Sequence, residues 1–297
     1  MVKIDDTFAE AFDLWVTRVT ITAINRKILD CAVSEMIGFA TSVIGCGCEA
    51  GFEGYCRGID NRVGANILLF SRTKEMLFEE LFRRVSQCAL TAPTVSVFSG
   101  FSDGEKARIG KKVKYFGDGF EKTKKMGGRR YYRIPVMEGE FLIEDVFYAK
   151  PGIGGGNIII IGKDRISTLR GAQRAVKSIR DMEEVITPFP CGICRSGSKV
   201  GSRYKGLGAS TNEAFCPTLK GIVNSSLRNG ENSAYEIVID GITLERVKLA
   251  MGVAILSCKG RGILRISAGN YGGKLGRYKI SLLEAVEFAE NYSKNCF

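Results

Sequence analysis

The sequence predicts an α+β protein of two pseudo-symmetric ferredoxin-like lobes, each βαββαβ, with antiparallel sheets carrying helices on one face. Three observations predict it. The order of strand-like and helix-like stretches in the first half recurs in the second. The helical stretches carry apolar residues at helical spacing, as in Leu77, Leu81, Phe82 and Val85. A chain of 297 residues is long enough for two lobes, each with its own core.

The N-terminal lobe is expected over 1–148. Its elements are a strand at Arg18–Thr22, an amphipathic helix over 26–37 (RKILDCAVSEMI) and a strand from Phe39 to Ile44 that ends in CGCEAG. A strand at Ala65–Phe70, a helix over 74–90 and a strand over 94–98 follow. A basic β-hairpin is inserted at about 110–135, KKVKYFGDGF…GGRRYYRIPV. The C-terminal lobe, 149–297, repeats the pattern: strand Asn157–Ile161, helix 167–182, and strand 185–189 running into PCGICRSGS. Strand Ala234–Ile239, helix 242–257 and strand 262–267 complete it. The tail LLEAVEFAENYSKNCF reads as a short C-terminal helix.

Composition narrows the chemistry. No apolar run approaches the ~18 residues of a membrane span, and MVKIDDTFAEAF lacks a signal-peptide pattern. Ten cysteines without a secretory signal point to reduced thiols in a cytoplasm. Histidine is absent, which excludes Ser-His-Asp and Cys-His nucleophilic sites and His-ligated zinc. Acid–base work must therefore come from Glu, Asp, Cys, Tyr or Lys. The net charge of +11 favours anionic partners. The cations Lys111, Lys112, Lys114, Lys122, Lys124, Lys125, Arg129, Arg130 and Arg133 crowd the hairpin, where a solvated surface is the simpler use. Tyr115, Phe116, Tyr131 and Tyr132 offer stacking faces but are equally natural strand residues. With no nucleic-acid motif present, nucleic acid is not the expected partner.

Three glycine clusters mark the second half: GIGGGN (152–157), SGSKVGSRYKGLGASTN (196–212) and SAGNYGGKLG (267–276). Glycines at strand ends let backbone approach a ligand and present N–H donors to it, although each cluster also reads as a tight turn. Near them lies Tyr235-Glu-Ile-Val-Ile239, whose alternation sets Glu236 and Val238 opposite Tyr235, Ile237 and Ile239. A carboxyl on so apolar a strand should have a raised pKa. Cys46-Gly-Cys48 and Cys191-Gly-Ile-Cys194 fall at equivalent points of the repeat. Four converging thiolates would suit zinc or an iron–sulfur cluster, but a lone CxxC is a weak signal, and small buried residues are the better reading.

The wording of GIGGGN, TPFPCGI (187–193), GSKVG (197–201), ASTN (209–212), YEIVI and ISAGNYGGKLG resembles formylmethanofuran:tetrahydromethanopterin formyltransferase. DTFAEAF (6–12), SQCALTAPTVSVF (86–98), FGDGF (116–120) and EGEF (138–141) extend the resemblance over nearly the whole chain. It implies direct formyl transfer between the two carriers, without a covalent formyl-enzyme and without a tightly bound cofactor. The carriers are methanofuran and tetrahydromethanopterin, anionic coenzymes suited to a basic surface. The resemblance places the catalytic glutamate at Glu236 and implies a homo-oligomer, a dimer or tetramer.

Oxyanion and carrier contacts are expected from Gly155, Gly156, Asn157, Ser196, Ser198, Lys199, Ser210, Thr211, Asn212, Asn270 and Lys274, with Gly201–Gly208 as a cover. Some positions depart from the family: FPCG for FPGG, CGCEAG for CPAEAG, GFATSV for GFGTSV, and Arg195 for a small residue. They fit the alternative of a divergent paralogue that binds a carrier without catalysis or serves as a subunit of a larger formyl-handling complex. Catalysis requires that Glu236, Gly156 and Asn270 not lie far apart and that Arg195 not fill the space between them.

Overall fold

The computed structural model describes residues 2–295. They form two compact units: Leu14–Gly152, and the segment ending at Asp13 together with that beginning at Ile153. Strand β1 (Lys3–Ile4) and the start of β2 (Phe8–Ala23) thus belong with the second half of the chain, which the sequence pattern did not signal.

Within Leu14–Gly152 the rest of β2 leads to α1 (Arg26–Ile37), β3 (Glu49–Arg57), β4 (Val63–Ser71), α2 (Lys74–Arg84) and β5 (Ser96–Ser99). β2 pairs antiparallel with β4 and β5, and β4 with β3, giving the ferredoxin-like order β5-β2-β4-β3. Both helices begin where an extended residue caps them. The Asn25 side chain accepts from Ile28 N–H at 3.0 Å and Thr73 from Met76 N–H at 3.2 Å. Their apolar faces (Leu29, Met36, Leu77, Leu81) bury against Val19, Ile21, Ile67 and Leu69 of the sheet.

Two expectations fail here. The second strand is β3, not Phe39–Ile44. Phe39 sits in the left-handed region (φ 49°) and is 84% exposed. Beyond it Gly45 and Cys46 donate to Ser42 O, and Val43 N–H donates to the Glu49 carboxylate, so the apolar run is spent in turns. The first arm of the expected hairpin is likewise not a strand. After β6 (Glu105–Ala107) come a short helix, α3 (Ile109–Val113), and a 3-10 turn over Lys114–Gly117, closed by left-handed Asp118 and Gly119. The true hairpin joins β7 (Lys122–Met126) to β8 (Arg129–Val136) through Gly127-Gly128, both with positive φ. β9 (Gly139–Glu144) links it to β5. Tyr131 and Tyr132 are buried, not stacking platforms, and Arg129 and Arg133 pair with Glu144 and Glu140.

β10 (Phe147–Gly162) starts in this unit against β6 and ends in the other. There the repeat follows: α4 (Arg165–Ile179), β11 (Val185–Ile186), the small hairpin β12 (Lys199–Val200) and β13 (Ala209–Ser210), β14 (Ser233–Gly241), α5 (Leu244–Cys258) and β15 (Ile263–Ser267). The order β15-β10-β14-β11 repeats that of the first unit, with β1 added parallel to β15. The caps recur at the equivalent positions, Asp164 on α4 and Thr243 on α5. β11 is short because Pro188 and Pro190 cannot donate to a ladder. Pairing resumes at Cys194, which exchanges two backbone bonds with Glu236. β16 (Tyr278–Ser281) pairs with the first residues of β2, and α6 (Leu282–Asn295) packs on α5. The last two residues of the expected tail helix lie outside the described residues. Among the described residues no helix is long and apolar enough to cross a membrane.

Candidate active site

β14 is an interior strand, paired with β10 along one edge and β11 along the other. Tyr235, Ile237 and Ile239 enter the core beneath α4 and α5. Ala234 and Glu236 point the other way, with Ile159 of the neighbouring β10, towards the irregular segment between β11 and β14. A small cleft opens there, lined by Glu236, Ile159, Cys194, Arg195, Ser196, Gly197, Thr211, Asn212, Phe215 and Cys216 among others.

Glu236 is 5% exposed. Its Oε1 accepts the Ser198 hydroxyl at 2.7 Å, whereas Oε2 is buried with no partner. Burial pushes the carboxyl pKa up, and the Ser198 bonds only partly oppose this. The group therefore keeps its proton to higher pH than a solvated glutamate, with one oxygen positioned and the other buried and unpartnered. Two other titratable groups stand close. Burial raises the Cys194 thiol and the Tyr271 phenol, and the negative charge of Glu236 adds to both shifts.

The glycine clusters meet at this carboxyl, but not as open N–H donors. Asn157 donates to Gly269 O at 3.1 Å and accepts from Gly269 N–H at 2.6 Å, tying GIGGGN to AGNYGGKLG. A Cβ on Gly269 would lie 3.7 Å from Glu236 Oε1, so the loop backbone passes beside the carboxyl. The Gly155 N–H is taken by Asp240 Oδ1 at 3.0 Å, and Gly156 packs on Val247 of α5. The N–H groups of Tyr271, Gly273, Leu275 and Gly276 all donate to Glu10 (2.5, 2.7, 2.9 and 2.6 Å). The loop is an anion nest filled by the protein's own carboxylate. Burial pushes the Glu10 pKa up, yet the four backbone donors outweigh it and hold the pKa below the usual value. Glu10 and Tyr271 lie within the DTFAEAF and SAGNYGGKLG motifs, but neither was singled out as a site residue.

The remaining candidates divide. Ser196, Thr211 and Asn212 line the cleft, and Arg195 lines it while leaving it open. Ser198 holds Glu236, Lys199 pairs with Glu213 at 2.6 Å, and Ser210 donates to Gly201 O at 2.7 Å. Asn270 is turned away, donating to Thr7 Oγ1 and Phe8 O at 3.1 Å, and Lys274 is exposed. Cys46 and Cys48 belong to one unit, Cys191 and Cys194 to the other. Among the described residues no group of three or more His, Cys, Asp or Glu side chains is arranged to hold a metal.

The family model described as formylmethanofuran-tetrahydromethanopterin formyltransferase matches residues 1–136, and that described as its proximal lobe matches 139–285. The chain belongs to this formyltransferase family. The curated formylmethanofuran–tetrahydromethanopterin formyltransferase of Methylococcus capsulatus is 48% identical over 290 residues, covering 95% of this chain and 97% of that one. Its counterpart in Methanothermobacter thermautotrophicus is 48% identical over 288 residues, with the same coverage of 95% and 97%. Among solved structures, the Methanosarcina barkeri formyltransferase superposes with a TM-score of 0.91 at 43% identity, covering 96% of this chain and 98% of that one. The formyltransferase/hydrolase complex of Methylorubrum extorquens with methylofuran gives 0.92 at 43%, covering 96% and 97%. The formyltransferase fold is therefore shared along nearly the whole chain.

Proposed function

We propose that the Glu236 cleft transfers a formyl group directly from formylmethanofuran to the pterin nitrogen of tetrahydromethanopterin, with Glu236 moving the proton. The observation that carries this reading is a buried carboxyl on an open cleft, one oxygen fixed by Ser198 and the other unpartnered. The pterin nitrogen attacks the formyl carbon, whose C=O bond opens to a tetrahedral oxyanion. Collapse breaks the carbon–nitrogen bond to methanofuran, and the departing amine takes the proton from the Glu236 carboxyl. The carboxylate so formed accepts the proton shed by the attacking nitrogen, which restores the starting state. A carboxyl kept protonated by burial suits both steps. Ser196, Thr211 and Asn212 are the donors for the oxyanion and carrier, and Arg195 and Lys274 meet carrier carboxylates.

The purified protein should formylate tetrahydromethanopterin from formylmethanofuran, followed by pterin absorbance. A folded protein without turnover would leave the binding-only paralogue. The Methylorubrum neighbour, solved in a formyltransferase/hydrolase complex, favours a second reading of the partners, in which this chain also serves as one subunit of a formyl-handling assembly. A cytoplasmic homo-oligomer is the simpler assembly. Phe39, Phe116, Phe120 and Met137 support it as exposed apolar side chains (84, 65, 75 and 108%) that association would cover. Light scattering on the purified chain tests the homo-oligomer, for which a multiple of the 32.5 kDa chain mass is expected and a monomer would contradict it.

A further inference from the structure

Glu10 lies far from Glu236 in sequence, yet a continuous set of hydrogen bonds joins them. Glu10 Oε1 accepts from Tyr271 and Gly273, and Oε2 from Leu275 and Gly276. The Tyr271 hydroxyl donates to Ser198 O at 3.1 Å and accepts from Val200 N–H at 2.8 Å. The Ser198 hydroxyl in turn donates to Glu236 at 2.7 Å. At 1% exposure Glu10 leaves no room in the nest for an external anion. Gly276 fits only because it lacks a side chain, since a Cβ there would stand 2.6 Å from Glu10 Cβ.

We propose that Glu10 is a positioning residue for formyl transfer: it folds the 271–276 loop around its carboxylate, and through Tyr271 that loop fixes Ser198 against Glu236. The inference rests on Glu236 being the proton-moving group. A neutral amide at position 10 cannot serve four donors, because its NH2 end faces N–H groups instead of accepting from them. The loop then loosens, Tyr271 shifts, and the Ser198 bond to Glu236 weakens. That bond opposes the burial-driven rise of the Glu236 pKa, so its loss moves the titration further up. The other titratable groups facing Glu236 are Cys194 and Tyr271, and Arg195 is the charged side chain lining the same cleft.

The test measures kcat, KM and the pH dependence of kcat for Glu10→Gln and Tyr271→Phe, with circular dichroism confirming folding. Both variants should lose roughly 10- to 100-fold in kcat with KM changed much less. The pH limb that Glu236→Gln abolishes should move to higher pH. In parallel, infrared titration of the protonated Glu236 carboxyl, identified by its loss in Glu236→Gln, requires no turnover. It separates failure of this proposal from failure of the functional reading. An upward shift of that titration in Tyr271→Phe supports the proposal even if Glu10→Gln fails to fold. A folded variant with wild-type kcat and an unmoved carboxyl titration overturns it.

Discussion

At the scale of single residues, the carboxyls at 236 and 10 carry opposite shifts from opposite surroundings. Glu236 has burial and few donors, so its pKa rises, whereas Glu10 has burial and four donors, so its pKa falls. Linkage gives the consequences. A raised carboxyl loses stability as pH climbs from its unfolded pKa through its folded pKa, because the unfolded glutamate ionises while the buried one still holds its proton. Glu236→Gln should therefore resist denaturant better than wild type at high pH and show no such gain at low pH, measured as paired urea midpoints. The depressed Glu10 contributes stability above its unfolded value, lost as pH falls through the folded pKa, and Glu10→Gln should flatten that acid limb. A third residue is strained: Cys191, exposed and left-handed at φ 55°, occupies a conformation that costs a side chain about 1–2 kcal/mol. Cys191→Gly should raise stability by about 1 kcal/mol in chemical denaturation. Glu236 was legible in the sequence because alternation on a strand is a local property. Glu10 was not, since nothing local tells a carboxylate that its donors lie beyond position 270.

At the scale of elements, helices were the most readable parts and the second strand of each repeat the least. A cap and an apolar stripe are written within one turn of each other, and α1 spans the expected 26–37. The strand expected at Phe39–Ile44 had the right composition, but side-chain and backbone acceptors within 42–49 captured its N–H groups. The AGNYGGKLG loop was expected to present N–H donors to a ligand, but four of its N–H groups turn to the protein's own Glu10 carboxylate. That makes Gly276 the most constrained position of the loop, with Glu10 Cβ and the Ala11 backbone within 3.0 Å of any added Cβ. Gly276→Ala should lower both the melting temperature and kcat, while Gly272→Ala, in open space but with positive φ, should cost only backbone strain of about 1 kcal/mol.

At the scale of the whole molecule, the net charge of +11 acts on anionic carriers through a screened field. KM for both carriers should rise severalfold from low to high salt with kcat little changed, and a salt-independent KM would remove charge from carrier recognition. The doubled βαββαβ architecture was legible because each half repeats the same order of periods. The most direct test of catalysis is kcat for formyl transfer by wild type and Glu236→Gln, purified side by side and both shown to be folded. Loss of about 100-fold or more in the amide variant is the expected result. Undiminished turnover would take Glu236 out of the chemistry and leave its buried, half-partnered carboxyl without a catalytic role.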